Sequence, residues 1–279
     1  MSLMNDAARG GRGGRLLLAA YAVLVVLFLI LPILVVVPLS ASSDAYLRFP
    51  PGGWGLRWYQ AALSEPRWWR ATWNSILIGV PVAAISAVVG TCAALAIARS
   101  RAGWTRPTAV LVTAPMMLPH VILAIGLYPI VVDLRLTGTF WAPILGHSVV
   151  GIPLVFVAVS AALRNYDFQL ELAAMTLGAN QWRAFSKVTL PMIAPSAITG
   201  AVLAFATSFD ELMLSLFLTG PRTETLPRLI WDQLAYALTP TIAAIATLVL
   251  ALSLFVLALV FVLHRFAAAS GQPTSGSQP

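Results

Sequence analysis

Six separate stretches of this chain are long and apolar enough to cross a bilayer, and that property limits what else the chain can fold into. A helix rising 1.5 Å per residue crosses ~30 Å of hydrocarbon in about 20 residues. Lipid offers no partner to exposed backbone groups, so such stretches must be helical or close into a barrel. The six fall near Leu16 to Leu39, Trp73 to Ala98, Thr108 to Val132, Pro143 to Leu163, Ser196 to Leu218 and Thr241 to Leu263. Their length is that of helices. With 59% hydrophobic and 10% charged residues and a mean hydropathy of +0.86, a soluble globular class is excluded. The predicted fold is all-α, a polytopic membrane protein with six transmembrane helices.

An even number of spans puts both termini on one side. Of the 17 Lys and Arg residues, ten fall on that side: Arg9, Arg12, Arg15, Arg99, Arg101, Arg106, Arg164, Arg183, Lys187 and Arg265. The positive-inside rule then predicts cytoplasmic termini. The first run, at 24 residues, exceeds a signal peptide's apolar region of roughly 7 to 15, so "LSAS" at 39–42 is not read as a cleavage site and the run is read as an uncleaved span. The expected organisation is a cytoplasmic tail over 1–15, a transmembrane domain over 16–265 with a cytoplasmic loop at 164–195, and a polar, disordered cytoplasmic tail over 266–279.

Several chemistries are missing from the sequence. Cys92 is the single cysteine and lies inside a span, so neither an intrachain disulfide nor a cysteine metal cluster is expected. The net charge of +7 is dispersed and follows from topology rather than from a nucleic-acid patch. The single lysine, Lys187, is followed by Val188 and sits in no G-x-x-x-x-G-K-[ST] pattern, so no ATP site is expected in this chain. Neither a metal-spaced His/Glu set nor a nucleophile with its base shares a helix face, which argues against an intramembrane enzyme.

Two loops stand out. The outer one, "YLRFPPGGWGLRWYQAALSEPRWWRATW", carries aromatic rings suited to headgroup depth or to a lid or docking surface for an external partner. The cytoplasmic one, between the fourth and fifth spans, holds "LELAAMTLGANQWRAFSKVTLPMIAP". Asp167 is placed to cap a first helix and Gly178 to end it; Asn180 then caps a second, Gln181 to Thr189, closed by Pro191. A helix, a glycine turn and a second helix make a rigid protrusion. The third span contains Pro115, Pro119, Gly126 and Pro129, breaks best covered by neighbouring helices, so it is expected inside the bundle.

The cytoplasmic stretch resembles the EAA loop of ABC importer permeases, with Ala173, Ala174, Gly178, Ala179, Phe185, Val188, Leu190 and Pro191 at matching positions. The family's glutamate falls on Leu172, and the nearby acid, Glu171, stands one place earlier, a rotation of ~100° about a helix. The resemblance extends through "APMMLPHVILAIGL" and "SFDELMLSLFLTGPRTETLPRLIWDQL" and is nearest to the PotC-like branch, the second permease subunit of spermidine/putrescine and opine-type importers. It implies a type I ABC importer permease fold in the bacterial inner membrane. It also implies half of a pathway for a small solute, a second, PotB-like permease, two copies of a separate ATPase carrying ATP and Mg, and an external solute-binding protein. No cofactor or metal is implied in this chain.

The candidate pathway residues lie in the fifth span. Thr207, Glu211 and Ser215 recur every four residues and form one polar stripe flanked by Ser208, while Asp210 is turned ~100° away on the same helix. An ionised Asp at a helix centre costs roughly 2.5 kcal/mol or more, so these acids face protein or water. One reading has them line a cavity for a cationic solute; the other has them bond across helices. His120 and His147 are further candidates. The functional alternative is a secondary transporter driven by ions through the same acids.

Overall fold

The computed structural model describes residues 12–100, 102–236, 239–251 and 254. All regular structure among the described residues is helical, with no strand. The chain divides into two compact units, 1–65 with 233–279, and 66–232.

In the first unit, helix α1 (Arg12–Ser40) is exposed along nearly its whole length, as suits a span facing lipid. The loop after it then folds back on itself. Ser43 N–H donates to Gly53 O at 2.9 Å, Gly55 N–H to Ala41 O at 2.8 Å, and the Asp44 carboxylate accepts Gly52 N–H at 2.8 Å. The short helix α2 (Arg57–Ser64) follows, and its Tyr59 hydroxyl meets Ser40 Oγ at 2.6 Å. Of the predicted sixth span, Thr241 to Leu263, the described residues include the apolar helix Pro240–Ala251 and Leu254; the remainder lies outside them, as do residues 1–11 and the C-terminal tail.

In the second unit, three long helices pack together: α3 (Pro66–Arg99), α6 (Trp141–Arg164) and α9 (Leu190–Phe209). Helix α3 starts earlier than the apolar run predicts, because Pro66 suits a first helical position. The three approach closely through small residues, the usual device where lipid provides no hydrophobic drive between helices. Val155 of α6 lies between Gly90 of α3 and Gly200 of α9, and a Cβ on Gly200 would stand 2.7 Å from the Val155 Cα. That contact is with backbone, so Gly200→Leu should force the helices apart. The expected cost is about 1–3 kcal/mol, read as a lower melting temperature in detergent; unchanged melting would refute the close approach.

The third predicted span is not one helix. Helix α4 (Thr105–Thr113) passes through a 3₁₀ turn (Ala114–Met117), breaks at Leu118 and Pro119, and resumes as α5 (His120–Asp133) at an angle of 106°. Little of it is covered by the described residues of this chain: α4 buries no residue and α5 buries only Ala124 and Val131, so the expected burial is not found within this chain. The prolines at its centre mark a bend, with Pro119 standing at the break between the two helices.

The fifth predicted span is also corrected. Helix α9 ends at Phe209, and after three non-helical residues the short α10 (Met213–Leu218) begins and packs on α5. The loop after it is pinned to the start of α3. Arg67 makes a two-pronged pair with Glu224 at 2.8 and 2.9 Å, and Asn74 Nδ2 donates to the carbonyls of Arg222 and Glu224. Helix α11 (Leu226–Tyr236) then starts with its Leu226 N–H donating to Ser75 Oγ at 2.9 Å.

By length and composition four helices among the described residues are able to span a membrane, or five if the bent α4–α5 pair is one span.

Candidate functional site: an acidic cavity and a helix–turn–helix loop

The break after α9 creates the first site. Asp210, Glu211 and Leu212 leave the helix and, with His120, Ala206, Thr207 and Met213, line an open cavity of about 530 Å³. The uninterrupted stripe expected from the four-residue spacing is therefore replaced by a different arrangement. Thr207 and Glu211 do face one cavity, but Ser215 lies buried behind it, donating to the Glu211 carbonyl at 2.7 Å. Asp210, expected to point elsewhere, lines the same cavity because the helix that would have turned it away has already ended.

Glu211 serves two partners. Its Oε1 accepts the Leu214 N–H at 3.0 Å, closing the first turn of α10. Its Oε2 stands 2.6 Å from Nδ1 of His120, the first residue of α5 after the bend. The Glu211 side chain is 5% exposed, so these two contacts replace most of the hydration an ionised carboxylate would lose. Asp210 is exposed to the cavity. One carboxylate is thus held and the other is open.

Behind the cavity His147 is buried in α6, with Nδ1 2.9 Å from Ser208 Oγ and Nε2 3.4 Å from Ser215 Oγ. It joins α6 to both sides of the break. Neither the His120–Glu211 contact nor the His147 bridge was legible in the sequence, since α5, α6 and α9 meet only through tertiary packing.

The second site is the loop between α6 and α9, over 164–195. Asp167 Oδ1 accepts Gln169 N–H at 2.9 Å, and helix α7 (Gln169–Thr176) follows. Its end is a Schellman motif: Ala179 N–H bonds to Ala174 O at 3.1 Å and Gly178 N–H to Met175 O at 3.0 Å, with Gly178 at φ 93°. Asn180 Oδ1 then caps α8 (Gln181–Ala184) by accepting Arg183 N–H at 2.8 Å. The second helix is not closed by Pro191. It runs on through a π-helical turn, Phe185–Thr189, straight into α9. Leu190 N–H reaches back to Phe185 O in that wider turn, which eases the missing donor and the ring of Pro191.

The loop displays apolar side chains outward. Leu172 is 49% exposed, Leu177 89% and Trp182 70%, with Ala173, Leu190 and Pro191 also at the surface, whereas Phe185 packs inward against the three-helix core. Glu171 turns inward as well. It pairs with Arg99 at the end of α3 at 2.5 Å and accepts a hydrogen bond from Thr189.

The family model for the binding-protein-dependent transport system inner membrane component matches residues 87–272. The chain belongs to that family. Among its curated relatives, the putrescine transport system permease protein PotI of Escherichia coli K12 is 35% identical over 233 residues, covering 80% of this chain and 82% of PotI. The spermidine/putrescine transport system permease protein PotC of the same strain is 29% identical over 241 residues, covering 86% of this chain and 91% of PotC. Among solved structures, a chain of a bacterial ABC transporter involved in the import of the acidic polysaccharide alginate superposes with a TM-score of 0.70 at 18% identity. It covers 90% of this permease and 97% of that chain, and shows the shared fold. The permease is therefore an ABC importer translocation component of a bacterial inner membrane, not an enzyme.

Proposed function

We propose that this permease forms half of the translocation pathway for a small cationic solute of the polyamine class, with Asp210 and Glu211 as the groups that meet the cation. The observation that carries this reading is the pair of carboxylates at the cavity where the span breaks, one open and one already holding the cationic-capable ring of His120. A diammonium solute shedding water needs acceptors of this kind. Thr207 adds a hydroxyl to the same wall, while Ser208 and Ser215 position His147 behind it. The names of PotI and PotC agree with a polyamine. The fold alone does not select charge, as the alginate importer illustrates.

The same reading gives the chain six spans with both termini in the cytoplasm, a second permease as its partner, and a solute-binding protein outside. Two copies of a separate ATPase bind ATP and Mg, and one docks on the 164–195 loop, where Leu172, Leu177 and Trp182 offer an apolar face in place of the missing glutamate. ATP-driven closure of the ATPase pair moves the loop and the bundle above it.

The test is competition in vesicles holding the assembled transporter. Uptake of labelled putrescine should be displaced by unlabelled spermidine and unaffected by an anionic oligosaccharide. Displacement by the anion and not by spermidine would refute the cationic assignment.

A further inference from the structure

We propose that Arg99 and Glu171 form a strut that ties the coupling helix α7 to the end of span α3, making Arg99 a positioning residue for energy coupling and Glu171 an internal brace rather than a contact for the ATPase. This rests on the reading of 164–195 as the docking loop.

Helix α7 follows α6 after a four-residue connection. Its Glu171 carboxylate, 16% exposed, reaches the two other bundle helices at once: Arg99, the last residue of α3, at 2.5 Å, and Thr189, at the π-helical turn that leads into α9. Thr189, whose hydroxyl donates to Glu171, is itself buried and held by the Tyr166 hydroxyl at 2.8 Å, so this end of the brace is anchored in the core. The Arg99 guanidinium lies over the Phe185 ring, 5.7 Å from its centroid, which fixes its direction. Without the strut, α7 would hang on α6 and on the Gly178 turn. With it, a push on the outward-facing Leu172 and Leu177 reaches α3, α6 and α9 together. The one-place shift of the acid along the helix is what turns it from the docking face to the bundle.

Arg99 is 43% exposed, and an ion pair with one partner so open to solvent adds little to folding stability, so its loss should leave the spans intact. The experiment compares Arg99→Ala, Glu171→Ala, the double variant and the charge swap Arg99→Glu with Glu171→Arg, in the full transporter in vesicles. ATPase retained on purification, ATP hydrolysis and labelled putrescine uptake are measured. Both single variants should keep the ATPase at the normal ratio while putrescine imported per ATP falls about fivefold or more. The double variant should be no worse than either single one, and the swap should recover most of the loss.

Loss of the ATPase by Glu171→Ala but not by Arg99→Ala would show that the carboxylate contacts the ATPase, and would overturn the strut. So would normal import per ATP in both single variants. Should putrescine not be carried at all, the solute assignment fails, and the strut is judged on hydrolysis, which both single variants and the double variant must shift by one common factor. Leu177→Asp serves the docking reading separately: normal ATPase retention by that variant would count against docking and leave the strut comparison standing.

Discussion

Gly178→Asp should abolish most uptake, by tenfold or more, while the protein inserts and accumulates as wild type. Gly178 sits at φ 93° with open space around it, so the penalty comes from backbone conformation and not from collision. An L side chain there costs about 1–2 kcal/mol. The two hydrogen bonds of the Schellman motif, from Gly178 and Ala179, are lost if the turn opens. The angle between α7 and α8 would change, and the exposed Leu177 and Trp182 would no longer present one face. Asn tolerates the left-handed region better than Asp or Ala, so Gly178→Asn should be the milder variant. Uptake and ATPase retention by the two variants decide the matter. Wild-type uptake by a stably inserted Gly178→Asp protein would remove the turn from the coupling mechanism.

Glu211→Gln should lower putrescine uptake by about 10- to 100-fold, the worth of a charge-assisted hydrogen bond of roughly 1.5–3 kcal/mol. Glutamine keeps an oxygen able to accept the Leu214 N–H, so the start of α10 survives, but the charge facing His120 is gone. Assembly and basal ATP hydrolysis should therefore stay normal. Asp210→Asn removes a charge that is more exposed to water in the same cavity, and its effect should be smaller, about two- to fivefold. Equal uptake by wild type and Glu211→Gln would take Glu211 out of the pathway and leave it as a cap for α10 alone.

Much of the loop over 164–195 was legible because its signals are local. Asp167, Gly178 and Asn180 each act on backbone groups within three residues or so, and the structure shows those contacts. What local patterning missed was continuation: Pro191 is read as a stop, yet a π-helical turn carries the helix through it. The same limit explains the fifth span. Apolar residues continue from Ser196 to Leu218, and hydropathy does not register that Asp210 to Leu212 leave the helix. That break brings Asp210 into the cavity and moves Ser215 behind it. The partners of Glu171 and Glu211 were not legible at all. Arg99 is 72 residues from Glu171, and His120 is on a helix whose 106° bend after Pro119 sets its direction. The prolines and glycine of the third span predict a place inside the bundle, because a break in a helix reads as a group needing cover, whereas Pro119 marks a bend.

A permease that moves its solute at the expense of ATP hydrolysed on a separate subunit, as proposed, is distinguished from an ion-driven one by the energy source of uptake. Vesicles containing the full transporter and the loaded binding protein should accumulate labelled putrescine only when ATP and Mg are supplied on the ATPase side. Uptake should persist when ionophores collapse the proton and sodium gradients. Accumulation driven by an imposed ion gradient without ATP, and lost with the ionophores, would contradict the account and identify Asp210 and Glu211 as the ion-coupling acids of a secondary transporter.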